Sequence, residues 1–155
     1  MIIRKAEERD MESLLDMYDK MYEILCGEYG YPFELSRTDN REVLAVQMRS
    51  KLCKVLVAED NGSLVGFVHT SISKLDRRFT FKGQRVIGRI DDIYVSGEAR
   101  GSGLAQDLLE KAEEWLREEG IEIVESYILD RNERSLRFHQ KDGFQILSKR
   151  TYKVL

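Results

Sequence analysis

Arg100-Gly101-Ser102-Gly103-Leu104-Ala105 decides how this chain is read. The six residues follow a strand-like run at 90–95 and open an amphipathic helix. That helix carries Leu104, Leu108, Leu109, Ala112, Trp115 and Leu116 on one face and ends near Gly120. Two glycines around a small serine let the backbone approach a ligand closely, because no Cβ intervenes. The N–H groups of a first helical turn have no intrahelical partners and lie at the positive end of the helix dipole. Strand, glycine loop and helix start together form a cradle for an anion such as a pyrophosphate. Arg100 adds a positive charge at its mouth. The loop lacks the Gly-Lys-Ser/Thr ending of a nucleoside-triphosphate loop and the third glycine of a dinucleotide fingerprint. An ordinary strand-to-helix turn is the reading that the loop by itself leaves open.

Outward from the loop, the pattern is that of one α/β domain over residues 1–155. Residues 2–4 read as a strand, and Met11, Leu14, Leu15, Tyr18, Met21, Tyr22 and Leu25 recur at helical spacing, with Asp10 as the expected cap. Residues 26–40, with Gly27, Gly30 and Pro32, read as a loop, and Val43, Leu44, Gln47, Met48 and Leu52 suggest a second helix. Residues 55–59 and 64–72 are strands joined by Asn61-Gly62, the strongest short hairpin signal. Positive charge then gathers around Gly83 in Lys74, Arg77, Arg78, Lys82, Arg85 and Arg89, as expected of a solvated hairpin end. Strands follow at 87–95 and 121–129, a short helix at 135–142, and two last strands at 144–147 and 151–155. The order βααβββαβαββ implies a mixed, mostly antiparallel sheet of about seven strands with helices on both faces. The crossover from Ile90 to Leu129 makes the parallel pair, and a ligand is expected where those two strands end.

The bulk composition narrows the class further. The 155 residues, 42% apolar and 34% charged, suffice for a single core without metals or disulfides. No run approaches the roughly 20 apolar residues of a membrane span. The start Met1-Ile2-Ile3-Arg4 does not read as a secretory leader, so a cytoplasmic protein is expected. Cys26 and Cys53 have neither the spacing nor the histidine partners of a metal site and read as reduced thiols. A net charge of −3 argues against a nucleic-acid partner.

A second segment supplies the chemistry. Asn132-Glu133-Arg134-Ser135-Leu136-Arg137-Phe138-His139-Gln140-Lys141-Asp142-Gly143-Phe144 reads as a capped short helix ending at a glycine. Taken with the glycine loop, it resembles the GNAT superfamily of N-acetyltransferases. The loop matches that family's Gln/Arg-x-x-Gly-x-Gly/Ala motif at Arg100, Gly103 and Ala105. The later segment matches its Asn-x-x-Ala/Ser-x-x-Phe-Tyr-x-x-x-Gly-Phe motif at Asn132, Ser135, Phe138, Gly143 and Phe144. The start of the chain, Ile3-Arg4-Lys5-Ala6-Glu7-Glu8-Arg9-Asp10, is similar to the family's opening. The resemblance implies acetyl-CoA as donor, an amine as acceptor, a V-shaped cleft between the parallel strands, and frequent homodimers. It implies that the backbone of Ile93, Tyr94 and Val95 holds the thioester and pantetheine arm. Arg100, Gly101, Ser102, Gly103, Leu104 and Ala105 would hold the pyrophosphate, and Asn132, Ser135 and Phe138 would line the pantetheine. His139 departs from the pattern, standing where the family usually has the tyrosine that protonates the leaving thiolate. Some members, the phosphinothricin-type enzymes among them, also carry histidine there.

An alkylammonium acceptor, with a pKa near 10.4, must lose a proton before it attacks a thioester, and a carboxylate can take it. Asp91 and Asp92 are the candidates. Strand alternation sends them to opposite faces, so at most one is expected on the acceptor side. Asp91 is favoured because the resemblance aligns it with the acidic base of polyamine acetyltransferases. A main-chain N–H near Val95 would hold the developing oxyanion. His139 would donate a proton as imidazolium, or hold a water that does. His69 matches no motif and reads as structural. Residues 18–42, rich in aromatic and acidic side chains such as Tyr22, Tyr29, Tyr31, Phe33, Glu28 and Glu34, are expected to shape the acceptor side. The competing reading is a non-catalytic acyl-CoA-binding sensor with the same fold, supported by the replaced tyrosine.

Overall fold

The computed structural model describes all of residues 1–155. Nine elements follow one another: β1 (Ile2–Lys5), α1 (Met11–Glu23), α2 (Arg37–Arg49), β2 (Cys53–Asp60), β3 (Ser63–Lys74), β4 (Val86–Val95), α3 (Leu104–Glu118), β5 (Val124–Ser126) and α4 (Glu133–Lys141). The strands form one sheet in sequential order, β1 to β5. The first three pairings are antiparallel and β4–β5 is parallel. The β2–β3 turn places Asn61 at φ 49° and Gly62 at φ 81°, both left-handed, as the tight hairpin turn demands.

The alternation of strand side chains divides the core in two. Val55, Val57, Phe67 and Tyr94 face α1 and α2, meeting Leu14, Leu15, Met17, Tyr18 and Leu44. Leu56, Ala58, Val68 and Ile90 face the opposite way and are covered by the apolar stripe of α3, from Leu104 to Leu116. Each buried Val, Leu, Ile, Met or Phe among them contributes roughly 1.5–3 kcal/mol, which fixes α3, and the loop before it, against the sheet.

Several expectations are corrected. The sheet has five strands, not about seven, so its order departs from βααβββαβαββ at the end. Residues 144–147 and 151–155 form no strands, and Ile146, Leu147, Tyr152, Val154 and Leu155 are exposed. Of this segment Phe144 packs on the α3-side core. One apolar anchor is too little burial to offset the ordering of a further hairpin. Strand β5 is three residues long rather than spanning 121–129, because it pairs with β4 only over Gly88–Ile90. Helix α2 begins at Arg37, where the Ser36 hydroxyl accepts the Asp39 N–H, so it takes the end of the expected loop. Asp10 does not cap α1. Its carboxylate accepts two Arg4 N–H groups at 2.6 and 2.9 Å and the Glu7 N–H at 2.8 Å, which holds its pKa below the usual range, chiefly through Arg4.

Candidate active site

The parting of β4 from β5 creates the site. The two strands run together through Ile90 and Ser126 and then separate, leaving the remainder of β4 paired on its β3 side alone. Ser96 N–H donates to Val65 O on the β3 side at 2.9 Å. Backbone groups alternate along a strand, so the N–H groups of Ile93 and Val95 point the other way, into the opening. A cavity of about 680 Å³ fills the opening, with walls from the end of α1, from β4, from the loop before α3 and from α4.

At its far end lies the glycine loop. Gly101 and Gly103 adopt φ values of 81° and 90°, left-handed conformations that a β-carbon strains. A Cβ built on either would project into open space, so backbone conformation rather than crowding is what calls for glycine here. The N–H groups of Gly101, Ser102, Gly103 and Ala105 donate to nothing in the protein. They stand at the N-terminus of the 15-residue α3, an arrangement suited to a diphosphate. The Ser102 hydroxyl is spent within the loop, donating to Ala99 O at 2.7 Å and accepting the Leu104 N–H at 3.3 Å, and Ser102 does not line the cavity. The Leu104 side chain is core, whereas Arg100 lines the cavity and its Nε donates to Val95 O at 3.2 Å. Tyr94 lines the cavity while its ring stacks on Phe67 in the α1-side core.

Helix α4 forms the second wall with Asn132, Ser135, Phe138 and His139. Asn132 Oδ1 caps the helix by accepting the Ser135 N–H at 3.2 Å. His139 is 1% exposed, with the rings of Phe138 and Phe144 edge-on at 5.2 and 5.1 Å. Its Nδ1 lies 2.8 Å from Ser135 O, which has only lone pairs, so Nδ1 carries the proton and donates it. The Nε2 atom is buried without a partner. Burial lowers the pKa of the ring, and the Ser135 hydrogen bond only partly opposes this. The ring at neutral pH therefore offers a lone pair at Nε2 rather than a proton.

The two aspartates overturn the alternation argument. Between Ile90, in the α3-side core, and Asp92, bonded to α1, the strand parity changes. The cause is a β-bulge: His69 pairs with Asp92 and its neighbour Thr70 with Ile90, so Asp91 is the extra residue. Both carboxylates consequently reach the α1 face. Tyr18 OH donates to Asp92 Oδ2 at 2.9 Å. Burial raises the pKa of Asp91, against the opposing hydrogen bond of the Ser71 hydroxyl and the attraction of His69. His69, which matches no motif, has its Nε2 3.9 Å from Asp91 Oδ2 and its Nδ1 3.9 Å from Asp92 Oδ2. The signal that would have found it is its place directly opposite the aspartates in the hairpin, which requires the register.

Another wall of the cavity comes from the 18–42 segment. Tyr22 and Phe33 line the cavity beside Met21 and Leu25. The loop that carries Phe33 is tied down by Tyr31, whose hydroxyl donates to Asp130 and accepts the Arg131 N–H. Tyr127 stands on the opposite rim with the Arg89 guanidinium 5.1 Å from its ring centre.

Comparison with known proteins places this geometry. The profile of the acetyltransferase (GNAT) family matches residues 18–144. The chain belongs to that family. An uncharacterized N-acetyltransferase of Archaeoglobus fulgidus is 28% identical over 139 residues, covering 90% of this chain and 89% of that protein. A glucosamine 6-phosphate N-acetyltransferase of Trypanosoma brucei brucei is 31% identical over 144 residues, covering 92% and 88%. Among solved structures, a predicted acetyltransferase of Clostridium acetobutylicum, crystallised with acetyl-CoA, superposes with a TM-score of 0.81 at 18% identity, over 99% of this chain and 95% of that one. The GNAT chain described here is an N-acetyltransferase, and its cleft is where the transfer is to be sought.

Proposed function

We propose that this GNAT protein transfers the acetyl group of acetyl-CoA to a primary amine of a small molecule, by direct attack with both substrates bound. The observation that carries the reading is the pair of carboxylates, Asp91 and Asp92, at one end of a cleft whose other end offers free N–H groups. The Gly101–Ala105 N–H groups and Arg100 bind the diphosphate, and the open edge of β4 holds the pantetheine arm against Asn132 and Phe138. Acetyl-CoA supplies the activated acyl group. The Val95 N–H, fixed by the sheet and turned into the cleft, stabilises the oxyanion; one such donor is worth roughly 2.7–4 kcal/mol.

Asp91 takes the proton of the acceptor's ammonium group. Its pKa, raised chiefly by burial, makes it a stronger base than an exposed aspartate. The Asp92 carboxylate, held by Tyr18, supports the cationic acceptor, and Tyr22, Phe33 and Tyr127 give its apolar part a surface. His139, neutral and with Nε2 bare, holds a water that protonates the departing thiolate; the imidazolium role is disfavoured by its burial. The test is thiol release from acetyl-CoA against a panel of primary amines, with Asp91→Asn alongside. Amine-dependent release that falls in the variant is expected. Acetyl-CoA binding without turnover on any amine would favour a sensor instead.

A further inference from the structure

The proposal here rests on the acetyl-transfer reading and concerns a residue outside the cavity wall. We propose that His69 is a positioning residue for the base: it orients Asp91 and Asp92 and receives, at Nε2, the proton that Asp91 removes from the acceptor. His69 does not line the cavity; the two aspartates do, and it lies behind them, 3% exposed in the sheet. Its two ring nitrogens face one carboxylate each, both at 3.9 Å. That span is about 1 Å longer than a hydrogen bond, and proton-transfer contacts are often long before substrate binds.

The arrangement of donors assigns the protons. A neutral imidazole carries one N–H and one lone pair, so it can serve only one carboxylate as donor. Asp92 Oδ2 already accepts the Tyr18 hydroxyl proton at 2.9 Å and so stands in this cluster as an acceptor. Nδ1–H therefore belongs toward Asp92, and the Nε2 lone pair toward Asp91. Both atoms on that second side, His69 Nε2 and Asp91 Oδ2, are buried and lack a hydrogen-bond partner. A protonated Asp91 completes that contact as the donor. The β4 bulge makes this possible, since regular alternation would have sent one aspartate to the other face.

The proton balance is simple. The ammonium nitrogen of the acceptor gives one proton to Asp91, which passes it to His69 Nε2, leaving an imidazolium between two carboxylates. The freed lone pair forms the C–N bond, and the C–S bond breaks as the oxyanion collapses. The nitrogen's second proton passes to the thiolate through the water held at His139 Nε2, and His69 returns the first to solvent. One proton is released per turnover. The other groups facing this cluster are Tyr18 and Tyr22 on α1, Cys53 on β2, Ser71 on β3 and Arg89 on β4. Neither tyrosine ionises near neutral pH, since burial raises both.

Ring-nitrogen NMR and kinetics test the assignment together. The chain has 2 histidines, so a His139→Gln variant identifies the His69 signals. The expected neutral ring is protonated at Nδ1 and bare at Nε2, and its Nε2 signal responds to Asp91→Asn. His69→Gln should lower kcat by roughly 100-fold, the lower end of acid–base contributions. It should also displace the acid limb of the profile and leave the KM for acetyl-CoA unchanged. A neutral ring protonated at Nε2, or a His69→Gln enzyme with unaltered kcat and pH profile, overturns the proposal. If His69→Gln does not fold, the Asp91→Asn spectra decide it. If the wild-type protein turns over no amine, the acetyl-transfer reading fails while the spectra still place the proton.

Discussion

Replacing Gly103 with alanine separates what the glycine loop does for folding from what it does for binding. Gly103 has φ 90° and open space where a Cβ would project. The folding cost is therefore backbone strain without a clash, about 1–2 kcal/mol for a left-handed residue. At roughly 2–4 °C per kcal/mol for a chain of this size, the thermal midpoint drops by about 2–8 °C. The binding cost is separate, because the new methyl group stands where a diphosphate approaches the N–H groups of the loop. Acetyl-CoA at about 100 times the wild-type Kd stabilises the wild-type fold by about 2.7 kcal/mol. A tenfold loss of affinity reduces that gain to about 1.4 kcal/mol, and a hundredfold loss to about 0.4 kcal/mol. Thermal unfolding with and without acetyl-CoA reads both costs in one experiment. Gly97→Ala is the control, since its Cβ also meets nothing and its φ is not left-handed. A Gly103→Ala protein with the lower midpoint but the full acetyl-CoA shift would refute the cradle.

Three further outcomes are expected. Asp91 is buried and its pKa raised, so its contribution to stability is present at low pH and is lost as pH rises through its folded value; Asp91→Asn should raise the thermal midpoint at pH 7 while slowing turnover, and a lowered midpoint would contradict this. His139 has a depressed pKa, so it favours the folded state above its unfolded value of 6.5 and this contribution is lost as pH falls below it; an acid-side loss of stability that persists unchanged in His139→Asn would count against a buried neutral ring. Tyr18→Phe removes the hydroxyl that Asp92 accepts at 2.9 Å; urea titration should show a loss of about 1.5–3 kcal/mol, the range for a hydrogen bond to a charged group, and no loss would mean that the contact contributes nothing.

The parts of this fold that local chemistry determines were legible in the sequence. The Asn61-Gly62 turn, the apolar stripe of α3 and the glycines before it are each decided by a few neighbouring residues. The long-range parts were not. Residues 121–129 are rich enough in isoleucine and valine to suggest a long strand, but where β5 stops is set by its divergence from β4, which no local pattern records. Phe144–Leu155 carries apolar residues in strand-like numbers, yet nothing in its own composition says that most of them stay exposed. The site divided along the same line. The loop and α4 could be placed from motifs, whereas the common face of Asp91 and Asp92 depends on one inserted residue in a register. The approach of His69 to both aspartates is hidden for the same reason: it lies across a strand pair, at a bulge that alternation rules do not foresee.

The most direct test of the account is amine-dependent thiol release from acetyl-CoA, measured with mass-spectrometric detection of the acetylated amine. The account predicts thiol and acetylamine in equal amounts, with rates reduced in Asp91→Asn and acetyl-CoA binding retained. Turnover that is unchanged in both Asp91→Asn and Asp92→Asn would contradict it, because the proton would then be leaving the acceptor by a route that bypasses the carboxylates of the bulge.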